Sequence, residues 1–457
     1  MRAWMCALVA LCCAACGALP GRSADERLVE AAFTLRGADG AASARVITRA
    51  HACPPIEIDG KLLPMQLRAA PASVPVRAGG AQADAKAAEF PVLSCEAALP
   101  AGAAHASVDG HALALPILTV QRIVIIGDTG CRLKQSDGQF QPCSDNAQWP
   151  FAKVAQSAAA TRPDLVIHVG DYHYRESPCP AAGCAGSPWG YGYDSWAADF
   201  LQPAGPLLAA APWVFVRGNH ETCSRAGQGW FRFFDSGPWS QARSCDTPQG
   251  DAGADFSSPY AVPIGGDTQL IVFDSSKSSA KAYAPGDPVF QAYAAQLREV
   301  DRLAAQTGHN FFLSHHPVLG LGPDKQGGAK PSMLGLASVM RTLHPQTLFP
   351  TAVDLALHGH VHLFEALSFD SGHAATLVLG NSGSASEGAL PQQLPTSQLP
   401  FADTRVGDYA TRSGFGFALL ERTDQGWTVT EHDENGVPQL RCDFAQRALH
   451  CKAIKLY

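Results

Sequence analysis

Five times between residues 122 and 362 a short β-like run stops at a cluster of Gly, Asp, Asn or His, and this repetition constrains the chain more than any other feature. The runs 123–126 and 165–169 end at Gly127-Asp128 and Gly170-Asp171. The runs 214–216, 311–313 and 354–357 end at Gly218-Asn219-His220, Ser314-His315-His316 and His358-Gly359-His360. Short apolar runs bounded in this way read as buried strands. Residues 150–160 carry helical spacing between the first two, and strand, helix, strand is the unit of an α/β sheet whose reactive loops lie beyond the carboxyl ends of its strands. The five polar clusters are therefore expected on one edge of the fold.

The flanks read differently. Residues 25–118 hold short β-rich runs, such as 44–48 and 91–94, between Gly, Pro and Ala-rich turns, which predicts a small N-terminal β domain before a main domain over 119–457. A chain of 457 residues exceeds what one core usually organises, in keeping with that division. Asp287 is placed to cap a helix that Pro288 opens and whose Phe290, Tyr293, Leu297, Val300 and Ala304 recur at helical spacing. Near the C-terminus, 416–420 and 427–431 read as strands closing a second sheet.

Hydrophobic residues make up 46% and charged residues 16%, the balance of an ordered globular protein. The formal net charge of -7 argues against nucleic acid or an anionic membrane as partner, so an anionic ligand must be drawn by a local field. Residues 1–18 combine Arg2, the apolar run 7–11 and the small residues Ala14, Ala15 and Ala18, the pattern of a signal peptide. No stretch reaches the roughly 20 apolar residues of a transmembrane helix. The protein is thus expected to be exported, periplasmic or secreted, with lipid attachment through Cys16 as an alternative. Four of the 14 cysteines lie in this segment. The other ten suit an oxidising compartment, with expected pairs Cys53–Cys95, Cys131–Cys143, Cys179–Cys184, Cys223–Cys245 and Cys442–Cys451. A zinc cluster is the competing reading, but the ten contain no CxxC spacing.

The polar clusters suit a two-metal hydrolase, which needs one anionic ligand shared by cations about 3.5–4 Å apart. Asp171, aimed into the cleft after Gly170, is the candidate bridge. Asp128 binds one ion in the same way, and Tyr174, three residues after Asp171, reaches that ion as a phenolate. This hard oxygen set favours Fe(III). Asn219 offers a neutral amide oxygen to the second ion, and His315, His360 and His362 offer imidazoles. A trivalent and a divalent ion carry five positive charges against four negative ones from Asp128, Asp171, phenolate Tyr174 and a bound hydroxide. The remaining charge attracts phosphate, and the acidified water is the nucleophile.

Each segment has a plainer reading. Asp and Gly after a strand usually make only a turn, and alternate His in 359–362 suits a solvent-facing strand. His316 is either a substrate contact or structural, since neighbouring strand residues point apart. His173 either faces the cleft mouth and substrate or sits in water on a loop, and His168 reads as core. Glu221 either orients His220 or marks a helix start. Trp189, Tyr191, Tyr193 and Trp196 either stack on a substrate ring or pack a disulfide-tied loop.

Taken in order, Gly127-Asp128-Thr129-Gly130, Gly170-Asp171 with Tyr174, Gly218-Asn219-His220-Glu221, His315 with Pro317, and Gly359-His360-Val361-His362 resemble the motifs of the calcineurin-like metallophosphoesterases. Tyr174 narrows the resemblance to the purple acid phosphatase branch, of an exported bacterial type. It covers roughly 122–420. It implies an α/β fold, a two-sheet sandwich flanked by helices. It also implies Fe(III) held by Asp128, Asp171, Tyr174 and His362, with zinc, iron or manganese held by Asp171, Asn219, His315 and His360. His220 matches the family's histidine that binds phosphate and assists the leaving group. The implied activity is hydrolysis of small phosphate monoesters. A phosphodiesterase or nucleotide pyrophosphohydrolase is the alternative on the same site, and a non-enzymatic metal- or phosphate-binding surface protein is the alternative outside catalysis. The N-terminal segment lacks a match to the plant enzymes, and Cys131 and the Cys179–Cys184 loop depart from the pattern, which bears on substrate range.

Overall fold

The structure, a computed structural model, describes residues 28–77, 85–394 and 403–454. The expected signal segment and Cys16 lie outside the described residues.

All five β-like runs form strands, and they divide between two sheets. Arg122–Ile126, Leu165–His168 and Trp213–Phe215 run parallel at the centre of an eleven-stranded sheet. His309–Leu313 and Val353–His358 run parallel in a seven-stranded sheet, flanked by Thr268–Val272 and Ala375–Leu379. The apolar runs are continuous because each strand is buried on both faces. Ile123, Ile125 and Ile167 meet Leu270, Phe311 and Leu355 in the core between the sheets. The alternate residues Val124, Ile126 and Val166 face the other way, into the cluster holding Phe151, Val154 and Ala158 of the helix Phe151–Ala160.

The second sheet is covered on its outer face by the helices Pro288–Ala304 and Gly335–Leu343. The first of these begins as the sequence predicts: the Asp287 carboxylate accepts from the Val289 amide at 2.8 Å, a cap worth about 1 kcal/mol. The layers are helix, sheet, sheet, helix. This is the α/β two-sheet sandwich that the motif order implies.

Two strands fall elsewhere than expected. Gly416–Thr423 and Gly426–Asp433 do not close the second sheet; they extend the first, with Ile123 opposite Leu420 in antiparallel register. Their period-two alternation fits this place, with Ala418 and Leu420 entering the inter-sheet core while Phe417 and Leu419 enter the helix-side cluster. At the other flank, Val29–Arg36 pairs parallel with Trp213–Phe215, followed by Ala42–Thr48, Leu93–Leu99 and Gln66–Ala69. The first sheet therefore runs unbroken across the boundary read near residue 118. The N-terminal segment also carries a four-stranded sheet and an apolar cluster of its own, with Ile56, Ile58, Leu93 and Val108.

The five cysteine pairs are those read from spacing: Cys53–Cys95, Cys131–Cys143, Cys179–Cys184, Cys223–Cys245 and Cys442–Cys451. Among the described residues no helix is long and apolar enough to cross a membrane.

Candidate metal centre

The loops after the five strands meet on one edge of the sandwich, and hydrogen bonds between them fix their spacing. The Asp128 amide donates to the Gly170 carbonyl and the Thr129 amide to the Asp171 carbonyl, which joins the first two loops. Asp128, Asp171 and His360 all have positive φ, 54°, 59° and 73°. Asp and His tolerate this left-handed region better than most residues, at a cost on the order of 1–3 kcal/mol each. Close approach makes two glycines necessary. A Cβ at Gly170, itself at φ 104°, would lie 2.6 Å from the His315 ring, and one at Gly218 would lie 2.0 Å from Asp171 Oδ1.

Seven side chains converge in two overlapping groups. The Tyr174 hydroxyl lies 2.8 Å from Asp128 Oδ1, 3.0 Å from Asp171 Oδ2 and 2.9 Å from His362 Nε2. Asn219 Oδ1 lies 3.1 Å from both His315 Nε2 and His360 Nδ1, and His315 Nε2 lies 3.1 Å from Asp171 Oδ2. Asp171 Oδ2 thus belongs to both groups. Its other oxygen accepts from the His220 amide at 2.9 Å, which holds the carboxylate in this orientation.

The donor set fits cations. His315 Nδ1 donates to the Val169 carbonyl at 3.0 Å, so Nε2 is the nitrogen directed at the oxygens of Asn219 and Asp171, and it offers them a lone pair to share with a cation only when the ring is neutral. His362 is oriented alike, with Nδ1 donating to the Ala385 carbonyl at 2.7 Å and Nε2 directed at Tyr174 and Asp128. Several acceptors facing one another in a buried site call for a positive charge between them. The chain alone shows this demand. Burial, then Asp128 and Asp171, push the Tyr174 phenol well above its usual range, so a phenolate there requires a cation. Burial pulls His315 down, yet Asp171 outweighs it and raises that imidazole to about 9. Two clusters, Asp128 with Asp171 and His315, and His315 with His316 and His360, hold ligand atoms within 4.8 Å of one another.

His220 is brought to the same place. Its Nε2 lies 3.7 Å from Asp171 Oδ2, and its ring centroid lies 3.9 Å from that of Tyr174. Burial, then Arg225, lowers this imidazole to about 4. His316 joins the imidazoles of His315 and His360, with ring centroids 5.0 and 4.5 Å away, and its Nδ1 lies 3.1 Å from Ser275 Oγ.

His173 goes elsewhere. It is buried, neither at the cleft mouth nor in water, and its ring packs against Tyr191 and Trp196. The amides of Asp171, Tyr172 and His173 all donate to Glu221, which holds the backbone of this loop. Of the four aromatics in 189–196, Tyr193 and Trp196 are core residues, Tyr191 donates to Glu176, and Trp189 lies under the Lys86 ammonium at 4.6 Å. His168 is core, stacked on Tyr172.

Three supporting residues were not legible in the sequence. Glu176, not Glu221, faces His220, with Oε1 2.8 Å from Nδ1. Arg225 contacts both. Asp199, fully buried, accepts from the amides of Cys131, Tyr174 and Arg175 and so fixes the position of Tyr174. None stands beside a ligand at a diagnostic spacing; only Glu176, five residues after Asp171 on the same loop, gave any signal.

No curated protein matches the chain. The fold is similar to that of purple acid phosphatase PPD1 from yellow lupin (Lupinus luteus) seeds, at 17% identity and TM-score 0.54 over 88% of this chain and 72% of that one. It is similar to PhoD at 12% identity and TM-score 0.55, over 93% of this chain and 92% of that one. At these identities the likeness is one of fold. Residues 121–364, which contain all seven converging side chains, match the calcineurin-like phosphoesterases, and the chain belongs to that family of metal-dependent hydrolases.

Proposed function

We propose that the chain hydrolyses phosphate monoesters at a binuclear centre of the purple acid phosphatase type. Asp128, Asp171, Tyr174 and His362 would hold trivalent iron, and Asp171, Asn219, His315 and His360 a divalent zinc, iron or manganese ion. The single observation that carries this reading is Asp171, whose one oxygen lies 3.0 Å from the Tyr174 hydroxyl and 3.1 Å from His315 Nε2. When bound, the cations supply Lewis acidity, lowering the pKa of water and neutralising charge on phosphate.

The chain's own residues do the rest. His220 presents Nε2 to the phosphate and hands a proton to the departing alcohol oxygen, and His316 adds a second imidazole contact on the far side of His315. Residues 119–457 act as the catalytic part, preceded by a β-rich segment over 25–118 and a signal peptide over 1–18. With five disulfides, the periplasm or the exterior is the compartment that suits the chain.

Metal analysis combined with a panel of monoesters and diesters tests the proposal. Two metal ions per chain, one of them iron with tyrosinate absorption, and faster turnover of monoesters are expected. A marked preference for diesters, or a colourless protein free of iron, would count against it.

A further inference from the structure

Among the described residues, Arg225 is the one cation that touches the proposed leaving-group histidine, and nothing in the motif order accounts for it. Its guanidinium lies 2.6 Å from His220 Nδ1, donates to the Asn219 carbonyl at 3.1 Å and binds both oxygens of Glu176, one of them at 3.3 Å. Tyr191 donates to Glu176 Oε2 at 3.1 Å, closing the group from the other side. The Nδ1 edge of His220 is therefore enclosed by Glu176 and Arg225, and Nε2 is left toward Asp171.

The position of Arg225 is itself built. The Arg225 and Gly227 amides donate to the Thr222 carbonyl and the Ala226 amide to the His220 carbonyl, a tight turn directly after the ligand Asn219. Cys223–Cys245 ties this turn to the segment beyond it, and Gln228 Nε2 bridges the carbonyls of both cysteines. A planar guanidinium on a turn so fixed contacts a carboxylate, a carbonyl and an imidazole at once, which a flexible ammonium cannot do.

We infer that Arg225 is a positioning residue for the hydrolysis: it clamps Glu176 and the Asn219 backbone so that the His220 ring is held with Nε2 over the shared carboxylate. The inference rests on the proposed role of His220. If His220 assists departure of the alcohol, misplacing its ring matters most for leaving groups that need a proton. Substrates whose leaving group departs unaided are spared.

The test compares the metal-loaded wild-type protein with Arg225→Ala, Arg225→Lys and His220→Ala on 4-nitrophenyl phosphate and glycerol phosphate. Arg225→Ala is expected to lose about ten- to a hundredfold in kcat on glycerol phosphate and only a few-fold on 4-nitrophenyl phosphate, part of the loss expected from removing a general acid. Arg225→Lys should recover part of that difference, with metal content unchanged. If Arg225→Ala does not fold, the lysine variant carries the comparison, and its expected deficit is again confined to the alkyl ester. Equal losses on both substrates, with His220→Ala still discriminating between them, would overturn the inference alone. Equal losses for His220→Ala as well would overturn both it and the assigned role of His220.

Discussion

The two halves of the candidate metal centre share one carboxylate and are otherwise unlike. Around Tyr174 the chain gathers Asp128, Asp171 and a phenol with a single imidazole, His362. Around Asn219 it gathers an amide oxygen and the imidazoles of His315 and His360, so that apart from Asp171 this half is neutral. Hard, anionic oxygens favour a small, highly charged cation, whereas imidazoles and an amide suit a divalent one. The fold therefore sets two differently charged groups of donors side by side, and the shared Asp171 is the one carboxylate that faces the Asn219 half in the contacts above.

Breaking the shared element gives the largest effect. Asp171→Ala is expected to lower bound metal from two ions to one or none per chain and hydrolysis by on the order of a thousandfold, read by elemental analysis beside steady-state rates. Retention of both ions would remove the basis for comparing two linked halves. Altering one half at a time sharpens the contrast. Tyr174→Phe should abolish the visible charge-transfer band while the divalent ion stays, and Asn219→Ala should do the reverse, each weakening its own ion by about ten- to a hundredfold. If either variant released both ions in equal measure, the halves would not be distinct sites. The smallest effect concerns what lies beneath both. Glu221 accepts from the amides of Asp171, Tyr172, His173 and Gly218 while fully buried. Glu221→Gln should cost about 1–3 kcal/mol in thermal or urea unfolding, with metal stoichiometry kept. An unchanged midpoint would mean that this clasp does not hold the loops.

The sequence revealed the converging side chains better than their supports, and the reason is physical. Asp128, Asp171, Asn219, His315, His360 and His362 follow strands buried on both faces, so an apolar run and a following polar cluster identify each one. Glu176 and Arg225 meet across 49 residues, and Asp199 reaches Tyr174 and Arg175 across 25 and 24 and Cys131 across 68, and no local periodicity encodes such pairing. His173 shows the converse limit: it lies between two of the converging residues in sequence, but its ring packs on Tyr191 and Trp196. The strands themselves were legible from period and length, whereas sheet membership was not. Gly416–Thr423 has an alternation equally suited to either sheet, and only the open flank of Arg122–Ile126 decides where it pairs.

The strand Val29–Arg36 covers the side of Trp213–Phe215, three residues before Gly218. A fragment excised at residue 119 would expose the amides and carbonyls of that strand, a template on which another copy could add a strand of its own. In that place the amino-terminal segment covers a sheet edge next to the loop that carries Asn219, and shortening the chain from that end is expected to cost solubility before it touches chemistry.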